Sequence, residues 1–311
     1  MSRLSLQSSP VAAASAFVLL AVLWGGSFVA IEVGLAYFPP LLFAGIRYLL
    51  AGVAVLAYAA VVADGWIPTT RREVSSVVVT AVFVIAIYHG FLYVGEQYVP
   101  GAIAAVIVSL SPVLTAAVAA VVLPNERVGP VEVGGFLLGI VGVSVVANPS
   151  ADALVSTQTL GILLVFCSAV AFAVGAVLLR PLRTDFPVVA LQGWGMTLGA
   201  VLLFAGAGAL GESPGDVSVT PTAIVSLAYL SVLSGVLAFL IYFALLDAVG
   251  PTQLHLVGYA EPVTAALASW LVLGHLIEGD ALVGFAAILA GFLVLERHSV
   301  RRMLVNRGRT A

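Results

Sequence analysis

The residues able to do chemistry in this chain sit inside apolar stretches. Glu261 is followed directly by Pro262, and Ser111 by Pro112, with the two pairs 150 positions apart. Arg47, Tyr88, His89, His255 and Tyr259 are further polar or ionisable groups within long apolar runs, and Trp24 opens a Trp-Gly-Gly-Ser stretch. An acid held away from water can exchange a proton near neutral pH or neutralise a cation. An arginine so placed can anchor a carboxylate. A histidine can relay protons or simply hydrogen-bond. Each proline removes an intrahelical hydrogen bond and frees the carbonyl four residues earlier, at Val108 and Gly258. Those carbonyls can serve a ligand or be re-satisfied by Ser111 or a neighbouring helix. No Walker A loop, dinucleotide-binding glycine loop, HExxH, CxxC or GxSxG accompanies these residues. Neither a metal nor another cofactor is expected, and the protein is expected not to be an enzyme. An intramembrane enzyme using His89, His255 and Glu261 is a distant alternative.

Composition determines what must position these groups. Hydrophobic residues make up 62% of the 311, charged residues 9%, and mean hydropathy is +1.17. Soluble domains average about 45–50% apolar and about 25% charged, so a polytopic membrane protein is expected. Nucleic acid is not an expected partner; the lipid bilayer and a small solute are, with protons as a second candidate solute. Cys167 is the single cysteine, which excludes an internal disulfide.

Ten apolar runs are long enough to span: about Val11–Ala36, Leu41–Val62, Val74–Val94, Gly101–Val122 and Val131–Ala147, then Leu160–Leu179, Val188–Leu210, Thr222–Leu246, Thr252–Leu273 and Ala281–Leu295. The first is too long for a signal-peptide core and has no convincing cleavage site, so it is expected to be retained. Pro39-Pro40, Ile67-Pro68, Pro124-Asn125, Pro187, Ser213-Pro214-Gly215 and Gly250-Pro251 punctuate the connectors. With ten spans, Arg3, Arg71, Arg72, Arg127, Arg180, Arg183 and the arginines from Arg297 onward share one side. The opposite connectors hold acids and no arginine. Both termini are therefore expected in the cytoplasm. Five spans per half is odd, so the second half enters the membrane inverted. The expected fold is an all-α integral membrane protein of ten transmembrane helices in two inverted five-helix repeats. The repeats are expected at 11–147 and 159–296, with a basic cytoplasmic tail at 297–311. Inverted repeats characterise secondary transporters, with the solute site between the halves.

Order and spacing of motifs add a resemblance. Leu23-Trp24-Gly25-Gly26-Ser27-Phe28, then Pro40 and Arg47, resembles the opening of the EamA-type transporters of the drug/metabolite transporter superfamily. Pro112 is followed by Glu126, Gly135 and Gly142; Pro262 is followed by His275, Gly284 and Gly291. Glu126 fits the family pattern of Glu, Gly and Gly, whereas His275 stands where the second half should have Glu. The resemblance implies a central cavity with peripheral fifth and tenth helices, and efflux of small metabolites, amino acids being the commonest suggestion. A multi-pass protein of the cell membrane, as monomer or homodimer, is expected.

The candidate substrate-binding or coupling residues are Glu261, Trp24, Ser111, Tyr88, His89, His255, Tyr259 and Arg47, with Pro112 and Pro262 as helix kinks. Trp24, Tyr88, Tyr93, Tyr242 and Tyr259 would suit a mostly apolar or aromatic solute. Proton-coupled export of cationic drugs, with Glu261 as counter-charge, is the alternative. Glu261 lies about 16 Å into its run at the helical rise, near the bilayer midplane; tying the kinked helix to a neighbour is its bland role. Arg47 and Glu32 differ in depth by only about 5 Å, so an Arg47–Glu32 pair is expected, with a substrate carboxylate as the other partner for Arg47. Glu96, Gln97 and Tyr98 are expected as interfacial anchors.

Overall fold

The computed structural model describes residues 9–123, 129–147, 157–249, 254, 256–276 and 279–295. Among them every long regular element is a helix: α1 (Pro10–Gly34), α2 (Pro40–Val62), α3 (Arg71–Gly95), α4 (Gly101–Val122), α5 (Pro130–Ala147), α6 (Thr157–Leu179), α7 (Val188–Ala209), α8 (Pro221–Val249), α9 (Val257–Leu273) and α10 (Gly279–Leu295). Seven of these are long and apolar enough to cross a membrane; α5, α9 and α10 contain shorter apolar stretches. Large apolar side chains cover the flanks, Val61 and Val121 being 85% and 86% exposed, while Arg47 and several serines are buried. That inversion suits a lipid solvent, in which apolar flanks are at home and polar groups must find partners inside. The chain is a membrane protein of the all-α class.

Caps fix where the helices begin. Ser9 accepts the Ala12 N–H before Pro10, and Thr70 forms a reciprocal capping box with Glu73 at the head of α3. Thr220 accepts the Ala223 N–H before Pro221. Two starts are capped from a distance. Glu212, beyond α7, accepts the N–H groups of Leu41 (3.1 Å) and Leu42 (2.8 Å) in the first turn of α2. Glu32, late in α1, accepts the Gly101 N–H that opens α4 at 2.8 Å. Carboxylates suit both places, because the unpaired N–H groups and the helix dipole favour negative charge there.

The packing has a two-fold pattern. α1 lies on α9 as α6 lies on α4; α3 packs on α7 as α8 packs on α2; α2 pairs with α7 and α5 with α10. Exchanging the first five helices with the last five maps the first four pairings onto one another and the last two onto themselves. α5 and α10 meet backbone to backbone, where a Cβ on Gly142 would fall 2.6 Å from the Gly284 carbonyl oxygen. Their other extensive contacts run to α4, which puts them at the periphery.

Two irregularities shape the interior. In α3, Thr80–Ile87 widens into π-helical turns, and in α8, Tyr229–Leu237 does the same at the matching place in the second half. A π turn holds more residues than an α turn and so rotates the face that follows it. α4 is interrupted at Ser109 and Leu110, ahead of Pro112. Ser111 Oγ donates to the Val108 carbonyl at 2.6 Å, which is the carbonyl Pro112 leaves without its helical donor. Pro262 sits inside α9 without interrupting it.

Candidate functional site

Arg47 organises the polar interior. It is 4% exposed. Its guanidinium donates to Tyr93 Oη of α3 at 2.9 Å and to Ser234 Oγ of the π segment in α8 at 3.3 Å. Its Cζ lies 4.7 Å from the centre of the Tyr48 ring. Nε has no partner, and no carboxylate pairs with Arg47 among the described residues. The expected Arg47–Glu32 pair does not form. Glu32 caps Gly101 with one oxygen, and the other lies 3.5 Å from His275 Nδ1. The two residues share a depth but point to different neighbours, and depth alone carries no azimuth. A buried cation held only by neutral hydroxyls and a ring face keeps most of its attraction for an anion.

Ser234 joins Arg47 to Trp24. Its hydroxyl accepts from Arg47, and its carbonyl accepts the Trp24 indole N–H at 3.3 Å. Trp24 meets Phe239 edge-on at 5.3 Å between ring centres and Tyr242 at 5.5 Å. On the other side, His89 Nδ1 faces the Ile85 carbonyl at 3.1 Å, and Nε2 makes a short hydrogen bond with Tyr48 Oη. A carbonyl only accepts, so Nδ1 carries the proton, and in the neutral ring Nε2 accepts the hydrogen bond that the Tyr48 hydroxyl donates. Tyr88 packs against His89 and Phe172, 4.3 and 5.5 Å between ring centres.

Glu261 is half-buried, and its carboxyl has no hydrogen bond or ion pair among the described residues. Its backbone is held instead: Thr264 Oγ1 donates to the Ala21 carbonyl of α1 at 2.7 Å and lies 3.0 Å from the Glu261 carbonyl. Gly25 makes this approach possible, since a Cβ there would lie 2.6 Å from the Glu261 carbonyl oxygen.

Of the residues singled out in the sequence, Trp24, Arg47, Tyr88 and His89 meet in one region through Tyr48, Tyr93 and Ser234, while the Glu261 side chain makes no hydrogen bond to any of them. Ser111 turns back on its own helix, and Tyr259 is buried in the apolar core. His255 lies outside the described residues, as does Glu126. Tyr48 and Ser234 were missed. Nothing local in the sequence marks them, because Ser234 reaches Arg47 from 187 positions away. Glu96 departs from its expected anchoring role: it is 4% exposed, whereas Tyr98 is 38% exposed as an interfacial residue should be. Glu32, Glu96 and Tyr98 line a cavity of about 460 Å³, together with Leu35, Val99 and Pro100 among others.

Known proteins resemble this chain along most of its length. The probable amino-acid metabolite efflux pump of Salmonella typhimurium is 27% identical over 287 residues, covering 89% of this chain and 92% of that protein. The uncharacterized inner membrane transporter YedA of Escherichia coli is 26% identical over 287 residues, 86% of this chain and 89% of its own length. A solved crystal structure at 21% identity superposes with a TM-score of 0.65, covering 94% of this chain and 99% of that one, and shares the fold. The profile of the EamA-like transporter family matches twice, at residues 11–148 and 159–297. With both matches together spanning most of the sequence, the chain belongs to the EamA-like transporter family.

Proposed function

We propose that this protein is a secondary transporter that exports small metabolites, amino acids or other mostly apolar solutes, across the cell membrane by alternating access. Ten helices span the bilayer in this reading, as inverted repeats 11–147 and 159–296 with both termini in the cytoplasm. The symmetric pairing of helices and the matched π segments support two repeats that can rock against each other. The chain has no ATP-binding motif, so transport draws on a gradient, and no catalytic role is assigned to any residue.

One observation carries the reading: Arg47 is buried without a carboxylate partner among the described residues, between helices of both halves. A solute carboxylate would complete its coordination, and Trp24, Phe239 and Tyr242 offer an aromatic surface nearby. Glu261 is the acid available to a solute ammonium group or to a coupling proton. The Glu261 carboxyl, unpartnered among the described residues, also favours a second reading, proton-coupled export of cationic solutes.

An untargeted comparison of solutes released by cells with the native protein, the Arg47→Met variant or no protein tests the proposal. Release of carboxylate-bearing solutes by the native protein alone is expected. Equal release from all three populations would refute it. Release of cations that survives Arg47→Met but not Glu261→Gln would favour the second reading.

A further inference from the structure

Glu96 is a buried acid that the transport reading leaves without a task. It follows α3 directly, is 4% exposed, and neither carboxyl oxygen has a hydrogen-bond partner among the described residues. A charged carboxylate does not persist in that condition; it takes up a proton or is reached by water or a donor. Beside it lies the cavity of about 460 Å³ lined by Glu32, Leu35, Ala36, Gln97, Tyr98, Val99 and Pro100 as well as Glu96 itself.

The surrounding groups point the same way. From α1, Glu32 contributes a second carboxylate whose oxygens are already engaged with the Gly101 N–H and His275. From α2, Arg47 acts at a distance, its guanidinium hydrogen-bonded to Tyr93 and Ser234. Tyr93 of α3 is occupied by Arg47. α6 approaches with Gly161 and Val165, which have no titratable side chains. Burial therefore pushes the Glu96 carboxyl well above the usual carboxylate range, Glu32 adds to the rise, and Arg47 opposes it.

Resting on the transporter reading, we propose that Glu96 is a proton-binding site of the transport cycle, loaded when the cavity is closed over it and unloaded when the cavity opens to water. The step is a simple dissociation: the carboxyl O–H breaks, the proton passes to vestibular water, and the carboxylate stays on Glu96. Two carboxylates side by side resist being charged together in a dry site. Loss of the proton thus drives Glu32 and Glu96 toward hydration and favours the open form. The closed form binds the proton more tightly, so acid favours closure and alkali favours opening. Glu261 sits on a different helix, and the two acids are separately testable.

The test uses the full-length protein purified in detergent, with Cys167→Ser removing the one native thiol. Val99→Cys places a reporter on the cavity wall, where Val99 is 4% exposed. Val219→Cys, at a position 77% exposed and outside the cavity, calibrates how thiol reactivity itself changes with pH. Labelling by a soluble maleimide is timed from about pH 5 to about pH 9. The Val99→Cys rate relative to the Val219→Cys rate should rise with pH, by up to about tenfold per unit, the ceiling for one linked proton. Adding Glu96→Gln should flatten the ratio, and Glu96→Asp should restore its rise. A ratio already flat with Glu96 present would overturn the proposal, even if Glu96→Gln failed to fold. So would a rise that survives Glu96→Gln but disappears in Glu32→Gln. Either result, with solute release by the native protein intact, would leave the transporter reading standing.

Discussion

Gly25→Ala tests whether α1 and α9 meet as closely at Glu261 as described. The new Cβ would lie on Thr264 Oγ1, 2.6 Å from the Glu261 carbonyl oxygen and 2.9 Å from the Ala265 nitrogen. Two of those three neighbours are backbone and cannot turn aside. Overpacking of this kind costs about 1–3 kcal/mol, and displacing Thr264 from the Ala21 carbonyl adds about 0.6 kcal/mol, typical of hydrogen bonds between membrane helices. The total is about 2–4 kcal/mol. Gly26→Ala is the control. Its Cβ would meet Tyr229 Oη, the far end of a side chain that can swing away from the Leu23 carbonyl at a cost of about 0.6 kcal/mol. Thermal unfolding in detergent should therefore show a clearly larger fall in Tm for Gly25→Ala. Adding Tyr229→Phe should rescue Gly26→Ala, while adding Thr264→Ala should leave most of the Gly25→Ala defect in place. Full rescue by Thr264→Ala would show that the backbones are not in contact and would refute the reasoning.

Three further outcomes are expected. Glu212→Ala removes the acceptor of the Leu41 and Leu42 N–H groups and should destabilise the protein by about 1–2 kcal/mol, read as a lower melting temperature. Reporters fused after Arg72, Arg183 and Arg309 should be cytoplasmic, and those after Asp152 and Gly215 external. A cytoplasmic reporter at Gly215 would sink the ten-helix inverted arrangement. Glu261→Gln should fold normally yet lose pH-dependent solute release. Unchanged release, with Glu261→Leu defective only in folding, would assign Glu261 to structure.

Much of the architecture is legible in the sequence because bilayer thickness sets the length of apolar runs. Proline and capping residues then mark where many helices start, as at Pro40, Thr70 and Pro221. The run expected from about Val74 begins at Arg71 because Thr70 and Glu73 cap it. The π segments left no mark: Thr80–Ile87 is uniformly apolar, and hydropathy does not distinguish wide turns from ordinary ones. That is also why the partners of Arg47 could not be read. Linear depth brought Glu32 level with it, but the face each helix presents after a π turn selects Tyr93 and Ser234 instead. Glu96 shows the same limit. Its position next to Gln97 and Tyr98 reads as an interface, yet the close approach of α3 to α6 at Gly95 and Gly161 buries it. Ser111 was readable, since a hydroxyl one residue before a proline is well placed to take over a freed carbonyl.

The central claim is that solute crosses through this protein without ATP and with Arg47 at its binding site. Purified protein should be reconstituted into vesicles loaded with a mixture of free amino acids, and efflux followed in the absence of nucleotide. The native protein should release a subset of the mixture, and Arg47→Met, folded by its melting profile, should release none of that subset. Efflux that requires ATP, or identical efflux from native, Arg47→Met and protein-free vesicles, would contradict the claim.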